Sequence, residues 1–171
     1  MAKDRPRLRA PRLETPPRVV LVDPEIPQNT GNIARLAAAL QFPLHLVGKL
    51  GFSIDEKAVR RAGLDYWPLV ELERNLDLAH FRHAHPGAKL RLFSAVAERS
   101  YLDARYEPGD ALVFGCESVG LPEELLREHA GEVYGIPTIG EVRSLNLANA
   151  VSIVVYEAYR QRDAFRHAAP R

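Results

Sequence analysis

The chain has a single cysteine, Cys116, so no internal disulfide can form, and one thiol among six histidines provides no zinc-finger spacing. Long apolar runs are also missing. None reaches the roughly 18 residues of a spanning helix, and charges and prolines stand where a signal peptide would carry an apolar stretch. These absences predict a cytosolic protein. The usual phosphate cradles are missing too: no G-x-G-x-x-G follows the first apolar run and there is no Walker A sequence, which excludes Rossmann-type and P-loop cofactor binding. Around Ser118, C-E-S-V-G departs from the nucleophile elbow G-x-S-x-G, because Cys116 stands where the first glycine must make the tight turn. His80, His83 and His85 form H-x-x-H-x-H, but with no acidic or thiol partner nearby and Pro86-Gly87 following, they read as a solvated helix end.

One-signed charge is scarce overall, at a net of +1, so the global field gives no reason to expect nucleic acid. Its distribution differs. Lys3, Arg5, Arg7, Arg9, Arg12 and Arg18 against Asp4 and Glu14 put +4 on the first 18 residues, where four prolines forbid a helix. Residues 1–17 therefore read as a disordered basic arm, either a phosphate contact or a solvated leader. Residues 18–165 form one domain, and 166–171 a flexible end.

Within the domain, Arg18 to Val22 is an apolar β-branched run followed by a two-proline stretch, Asp23 to Gly31, read as a long loop. Asn32 is then a plausible N-cap for a helix with apolar positions Ile33, Leu36, Ala37 and Leu40, ended by Pro43. Strand-length apolar runs recur at 44–47, 90–95, 111–115 and 132–136, and a short charged helix is predicted over 55–61. Further helices are predicted over 75–85, from Pro122 to about His129, and over 144–162. The last is apolar nearly all round from Leu145 to Val155, so it needs cover on several sides; a dimer interface is one way to supply it. Alternating strands and helices imply an α/β domain with a mostly parallel sheet and helices on both faces, its ligands at the loops after the strand C-termini.

Three of those loops carry the functional signal: Pro27 to Arg35 (PQNTGNIAR), Phe114 to Pro122 (FGCESVGLP) and Ile136 to Glu157 (IPTIGEVRSLNLANAVSIVVYE). In order and spacing they resemble the three motifs of the SpoU-type branch of the SPOUT methyltransferases. Asp23 to Arg35 and Arg60 to Tyr66 (RRAGLDY) resemble the short members that methylate the wobble nucleotide of tRNA. The resemblance covers roughly residues 18–162. It implies a C-terminal trefoil knot, a homodimer with active sites at the interface, and S-adenosylmethionine as methyl donor to a ribose 2′-hydroxyl of cytidine or modified uridine, with no metal required. No periodicity signals threading of the chain, and connection rules treat knots as rare.

By match to the family, the cofactor rests against Val96, Gly115, Glu117, Gly120, Ile136, Ser144, Leu145 and Asn146, largely through main-chain groups. Taken alone, the glycines only make turns, and Ser144 and Asn146 only cap the last helix. Cys116 reads as packing. Arg35 matches the arginine that activates the ribose hydroxyl; it points away from the stripe of Ile33, Leu36 and Leu40, and the reading places it in the first helical turn, where the macrodipole disfavours a cation. A guanidinium keeps its proton at neutral pH, so hydrogen bonding to the developing alkoxide is the easier role. Asn29 would orient Arg35 or the substrate. Arg143 and Tyr156 match positions near the reaction centre, although a tyrosine on a buried helix is ordinarily core. An unpaired anticodon loop is the expected RNA target. Lys57, Arg60 and Arg61, with Lys49 and the arm, are candidate phosphate contacts or a solvated face. Competing readings are a 2′-O-methyltransferase for another tRNA or rRNA position, a catalytically silent RNA-binding knot protein, and a small-molecule α/β enzyme.

Overall fold

The computed structural model describes residues 6–54 and 67–170. Six strands form one parallel sheet in the order β4-β3-β2-β6-β5-β7: β2 (Arg18–Val22), β3 (Leu44–Val47), β4 (Leu72–Asn75), β5 (Leu90–Phe93), β6 (Ala111–Phe114) and β7 (Val133–Tyr134). The two-residue strands β1 (Leu8–Arg9) and β8 (Ala169–Pro170) pair antiparallel in a separate ribbon. Helices α1 (Pro27–Leu40) and α4 (Leu147–Gln161) cover one face of the main sheet, and α2 (Leu78–Ala84) and α3 (Glu123–Glu128) the other.

Burial on both faces explains why the strands other than the edge strand β4, Leu-Glu-Arg-Asn, read as mainly apolar runs rather than alternating ones; β4 itself lies outside the predicted runs. In β2, Val19 and Leu21 join the core under α1 and α4, whereas Val20 and Val22 join the core under α2 and α3. Each such side chain, withdrawn from water, contributes about 1.5–3 kcal/mol. The first core is completed by Ile33, Ala34 and Ala37 from α1 meeting Val151, Val154, Val155 and Ala158 from α4. The Tyr159 hydroxyl donates to the Leu40 carbonyl at 2.9 Å, satisfying an end carbonyl of α1; burial pushes its pKa up to about 12. Arg91 of β5 is buried with its partner Asp110, to which it donates at 2.9 Å, and it donates also to Glu132. Burial works against the Arg91 cation, but the two carboxylates outweigh it and raise its pKa.

The structure differs from the sequence reading in several places. Helix α1 begins at Pro27, not after Asn32, so the stretch read as loop supplies its first turn and Asn32 lies in its exposed interior. Arg35 thereby falls in the third turn, and the macrodipole argument for it lapses. Helix α1 ends at Leu40 and is capped by Gln41, in the left-handed region at φ 57°, two residues before Pro43. Asn146 caps α4 by accepting from the Ala148 and Asn149 amides at 2.9 and 3.3 Å, while Ser144 lies outside the cap. Parts of the basic arm and of the C-terminal end take a place in the β1–β8 ribbon, and Arg162 donates to the Thr15 carbonyl. The helix expected over 55–61 lies outside the described residues.

Candidate active site

From β2 the chain crosses to β3 on one side, and from the adjacent β6 to β7 on the other, so the crossover point lies between β2 and β6, where open α/β sheets bind ligands at the strand C-termini. Register brings the strand ends level: Leu21 pairs with Phe114, Phe93 with Phe114, and Phe93 with Tyr134. The loops after β2, β6, β5 and β7 therefore start side by side. They contain every sequence-predicted cofactor residue except the Leu145-Asn146 approach to α4, which follows directly from the last loop.

Glu117, in the loop after β6, joins these segments. Its carboxylate accepts from the Glu25 amide at 2.8 Å, the Ile26 amide at 3.1 Å and the Asn29 side-chain amide at 3.0 Å. This anion at the start of α1 supplies the cap that Ile26 lacks. The Asn29 side-chain oxygen in turn accepts from Asn146 at 3.0 Å, and the Asn146 oxygen caps α4. One chain of hydrogen bonds thus connects Glu117, Asn29 and Asn146, a residue from each of the three motifs. Asn29 is buried, and both ends of its amide are engaged there.

Glycines shape the remaining surface. Gly115 sits against the backbone of Gly120 and Leu121, which a Cβ would overlap. Gly120 has φ 76° and donates its amide to the Cys116 carbonyl at 3.0 Å, closing the loop. Cys116 is half-buried, its sulfur 3.6 Å from the Gly120 carbonyl oxygen, in keeping with a packing role. Gly135 lets the post-β5 loop approach: its amide donates to the Arg99 carbonyl at 2.7 Å and its carbonyl accepts from the Tyr101 amide at 2.9 Å. Sequence reasoning missed Gly135, and it missed Glu25, whose carboxylate accepts from both the amide and the hydroxyl of Ser118 at 2.9 and 2.8 Å. Gly135 lies inside the run read as strand over 132–136, whereas β7 ends at Tyr134 and leaves it at the loop start; Glu25 carries no local signal.

The other predicted residues fall as follows. Val96, Arg143 and Ser144 are exposed on the same edge, with Ile136 and Leu145 half-buried beside them. Arg35 is exposed on α1, six residues from Asn29 and therefore about 9 Å further along the axis. Tyr156 is half-exposed, with its ring stacked on Phe165 at 5.3 Å, and lies roughly 13 Å of helix rise from the start of α4. Within one chain it does not join the Glu117–Asn29–Asn146 group. Lys57, Arg60 and Arg61 lie outside the described residues.

A parallel sheet with ligand-facing loops interlocked at its crossover point defines an α/β protein whose site lies at the carboxyl edge. More particularly, residues 16–156 match the SpoU rRNA Methylase family, and the chain belongs to it. The chain is 43% identical over 144 residues to the tRNA (cytidine(34)-2'-O)-methyltransferase of Escherichia coli (strain K12), covering 84% of this chain and 92% of that one. It is 46% identical over 147 residues to the protein of the same name from Acidovorax sp. (strain JS42), covering 84% and 90%. A solved structure described as giving insight into the 2-OH methylation of C/U34 on tRNA superposes with a TM-score of 0.81 at 51% identity, covering 86% of this chain and 97% of that one. The SpoU methyltransferase AviRb from Streptomyces viridochromogenes, in complex with AdoMet, superposes with a TM-score of 0.69 at 27% identity, covering 90% and 62%.

Proposed function

We propose that this chain transfers a methyl group from S-adenosylmethionine to the ribose 2′-hydroxyl of nucleotide 34, the wobble position, in the tRNA anticodon loop. The observation that carries this reading is the Glu117–Asn29–Asn146 connection, which holds the three motif loops as one surface at the sheet edge. The names of the relatives supply the substrate class. Open space beside Gly120 and Gly140 leaves main chain accessible to a nucleoside, which fits the cofactor's adenosine. Val96, Gly115, Gly120, Ile136, Ser144 and Leu145 would contact it, with Glu117 and Asn146 bracing the loops. When bound, this cofactor supplies an already activated sulfonium methyl, so placing the 2′-oxygen in line is the main task of the protein. Arg35 donates hydrogen bonds to that oxygen as charge develops on it, and Arg143 contributes a second cation at the same edge.

A homodimer completes the reading. Ile26, Val96, Val119, Ile139 and Val142 are exposed around the site, and Ile153 and Tyr156 are exposed on α4; association covers them and brings Tyr156 to a site edge. A trefoil knot over residues 135–161 is part of the proposal. Support comes from residues 99–106, which hold Gly135 at the start of that segment and Gln161 at its end. Lys49, Lys57, Arg60 and Arg61 are proposed as phosphate contacts. The setting is cytoplasmic; among the described residues no helix is long and apolar enough to cross a membrane.

The test is transfer of labelled methyl to tRNA lacking wobble 2′-O-methylation, with Arg35→Ala alongside and the label mapped. Label on the nucleotide-34 ribose, reduced at least 100-fold by Arg35→Ala, is expected. Label elsewhere reassigns the substrate position, and saturable cofactor binding with no label on any RNA overturns the activity.

A further inference from the structure

On the sheet face opposite α1 and α4, outside the three motifs, strands β3 and β4 place two metal-ligating side chains level. His45 pairs with Glu73 in the parallel register, so both project from the same face, and α2 ends above them with His85 at its C-cap. The His45 Nδ1 lies 3.7 Å from one Glu73 carboxylate oxygen, and the His85 Nε2 lies 3.3 Å from the other. One donor atom from each residue lies within 4.8 Å of the others.

We infer that His45, Glu73 and His85 form a binding site for a divalent ion of the zinc type. Metal–nitrogen and metal–oxygen bonds of about 2.0–2.2 Å in a tetrahedron put neighbouring donors about 3.4 Å apart, and the two imidazole–carboxylate separations, one to each oxygen of Glu73, are 3.7 and 3.3 Å. Two imidazoles and one carboxylate are a donor set that zinc accepts with its fourth position open to water.

A second observation points the same way. The His45 ring is fully buried, at 0% exposure, and neither ring nitrogen makes a well-formed hydrogen bond, with Asn75 as its other polar neighbour. At 3.7 Å the Glu73 oxygen is too distant to accept one. Buried polar groups are nearly always satisfied, so a ring without a well-formed hydrogen bond, aimed at a carboxylate and a second imidazole, calls for a ligand between them. The ring is held in that orientation by Phe81 and His85, each with its centroid 4.9 Å away. Asn75, two residues beyond Glu73 and donating to it at 3.0 Å, also faces His45, and its buried side-chain oxygen, which makes no well-formed hydrogen bond, is an acceptor for the His45 ring nitrogen that does not hold the ion. His85 and Glu73 are partly exposed, which gives an ion a way in. The site would clip α2 to the edge strand of the sheet. The H-x-x-H-x-H run contributes only its last histidine, because the other ligands come from strands.

Zinc titration of chelator-treated full-length protein by calorimetry, with cobalt(II) as a spectroscopic substitute, tests this. One saturable equivalent per chain is expected, with the visible absorption of four-coordinate cobalt and a melting temperature raised by zinc. Glu73→Gln and His85→Ala should each weaken zinc affinity by about 100-fold, whereas the double variant His80→Ala/His83→Ala should bind as the parent does. Circular dichroism checks that each variant folds, and Glu73, half-exposed, is the substitution safest for the fold. Absence of saturable binding, unchanged affinity in both Glu73→Gln and His85→Ala, or loss of binding in the His80/His83 variant would overturn the inference. None of these readouts depends on methyl transfer.

Discussion

Replacing Glu117 by alanine separates a brace from a ligand contact. Its carboxylate accepts three hydrogen bonds, two from amides at the exposed start of α1 and one from the buried Asn29 side chain. Water can reach the two amides, so losing their acceptor resembles losing an N-cap, at about 1 kcal/mol. The Asn29 donor is enclosed, and leaving it unpaired costs about 1–3 kcal/mol. The sum is about 2–4 kcal/mol, which at a urea m-value of about 2 kcal/mol/M lowers the unfolding midpoint by about 1–2 M. The single tryptophan, Trp67, packs half-buried against the main core and reports the transition by fluorescence. Glu117→Gln retains an acceptor but loses the charge, and should fall between parent and alanine variant. If Glu117→Ala unfolds within about 0.5 kcal/mol of the parent while losing cofactor affinity, the side chain is a direct ligand contact and the bracing argument fails.

Two further outcomes follow from the same geometry. Gly115→Ala drives a Cβ into the Gly120–Leu121 backbone and should cost about 1–3 kcal/mol with loss of cofactor binding, whereas Gly140→Ala, with open space around it, should leave stability within about 0.5 kcal/mol; urea melts of the pair check this. Tyr159 has its pKa raised from 10.0 to about 12 by burial, so the unfolded chain releases the phenolic proton first and stability falls as pH rises through that window. Allowing for solvent screening, the fall is about 1–2 kcal/mol, and Tyr159→Phe should abolish that component in paired melts across the same pH range.

Five strands of the main sheet were legible because they are short apolar runs closed by turns, whereas the edge strand β4, Leu-Glu-Arg-Asn with only one apolar residue and partial exposure, was missed and its last residue reads into the following helix. The start of α1 was not legible either, since Pro24 and Pro27 suggested irregular backbone. Pro27 is in fact the first helical residue, where its missing N–H is no loss. The site motifs were legible as spaced patterns, but not how they touch. Asn29 looked like a substrate-orienting group and Glu117 like a cofactor contact, and nothing local says that the two bind each other across 88 residues. Likewise, helical spacing directed attention to His80 and His83, while His85 meets partners whose position depends on strand register. The pairing of Leu8–Arg9 with Ala169–Pro170 is too short and too remote for any periodicity to announce.

The bonds that unite the site also bear on the growing polypeptide. Glu117 reaches back 88 residues to Asn29, and Asn29 waits a further span, 117 residues from its own position, for Asn146. A chain emerging from the ribosome therefore has the first motif long before its fastener, and the loops lock only when α4 has cleared the exit. Fragments ending before Asn146 hold two of the three motifs with Asn29 half-engaged, so they should be inert and readily degraded rather than partially active.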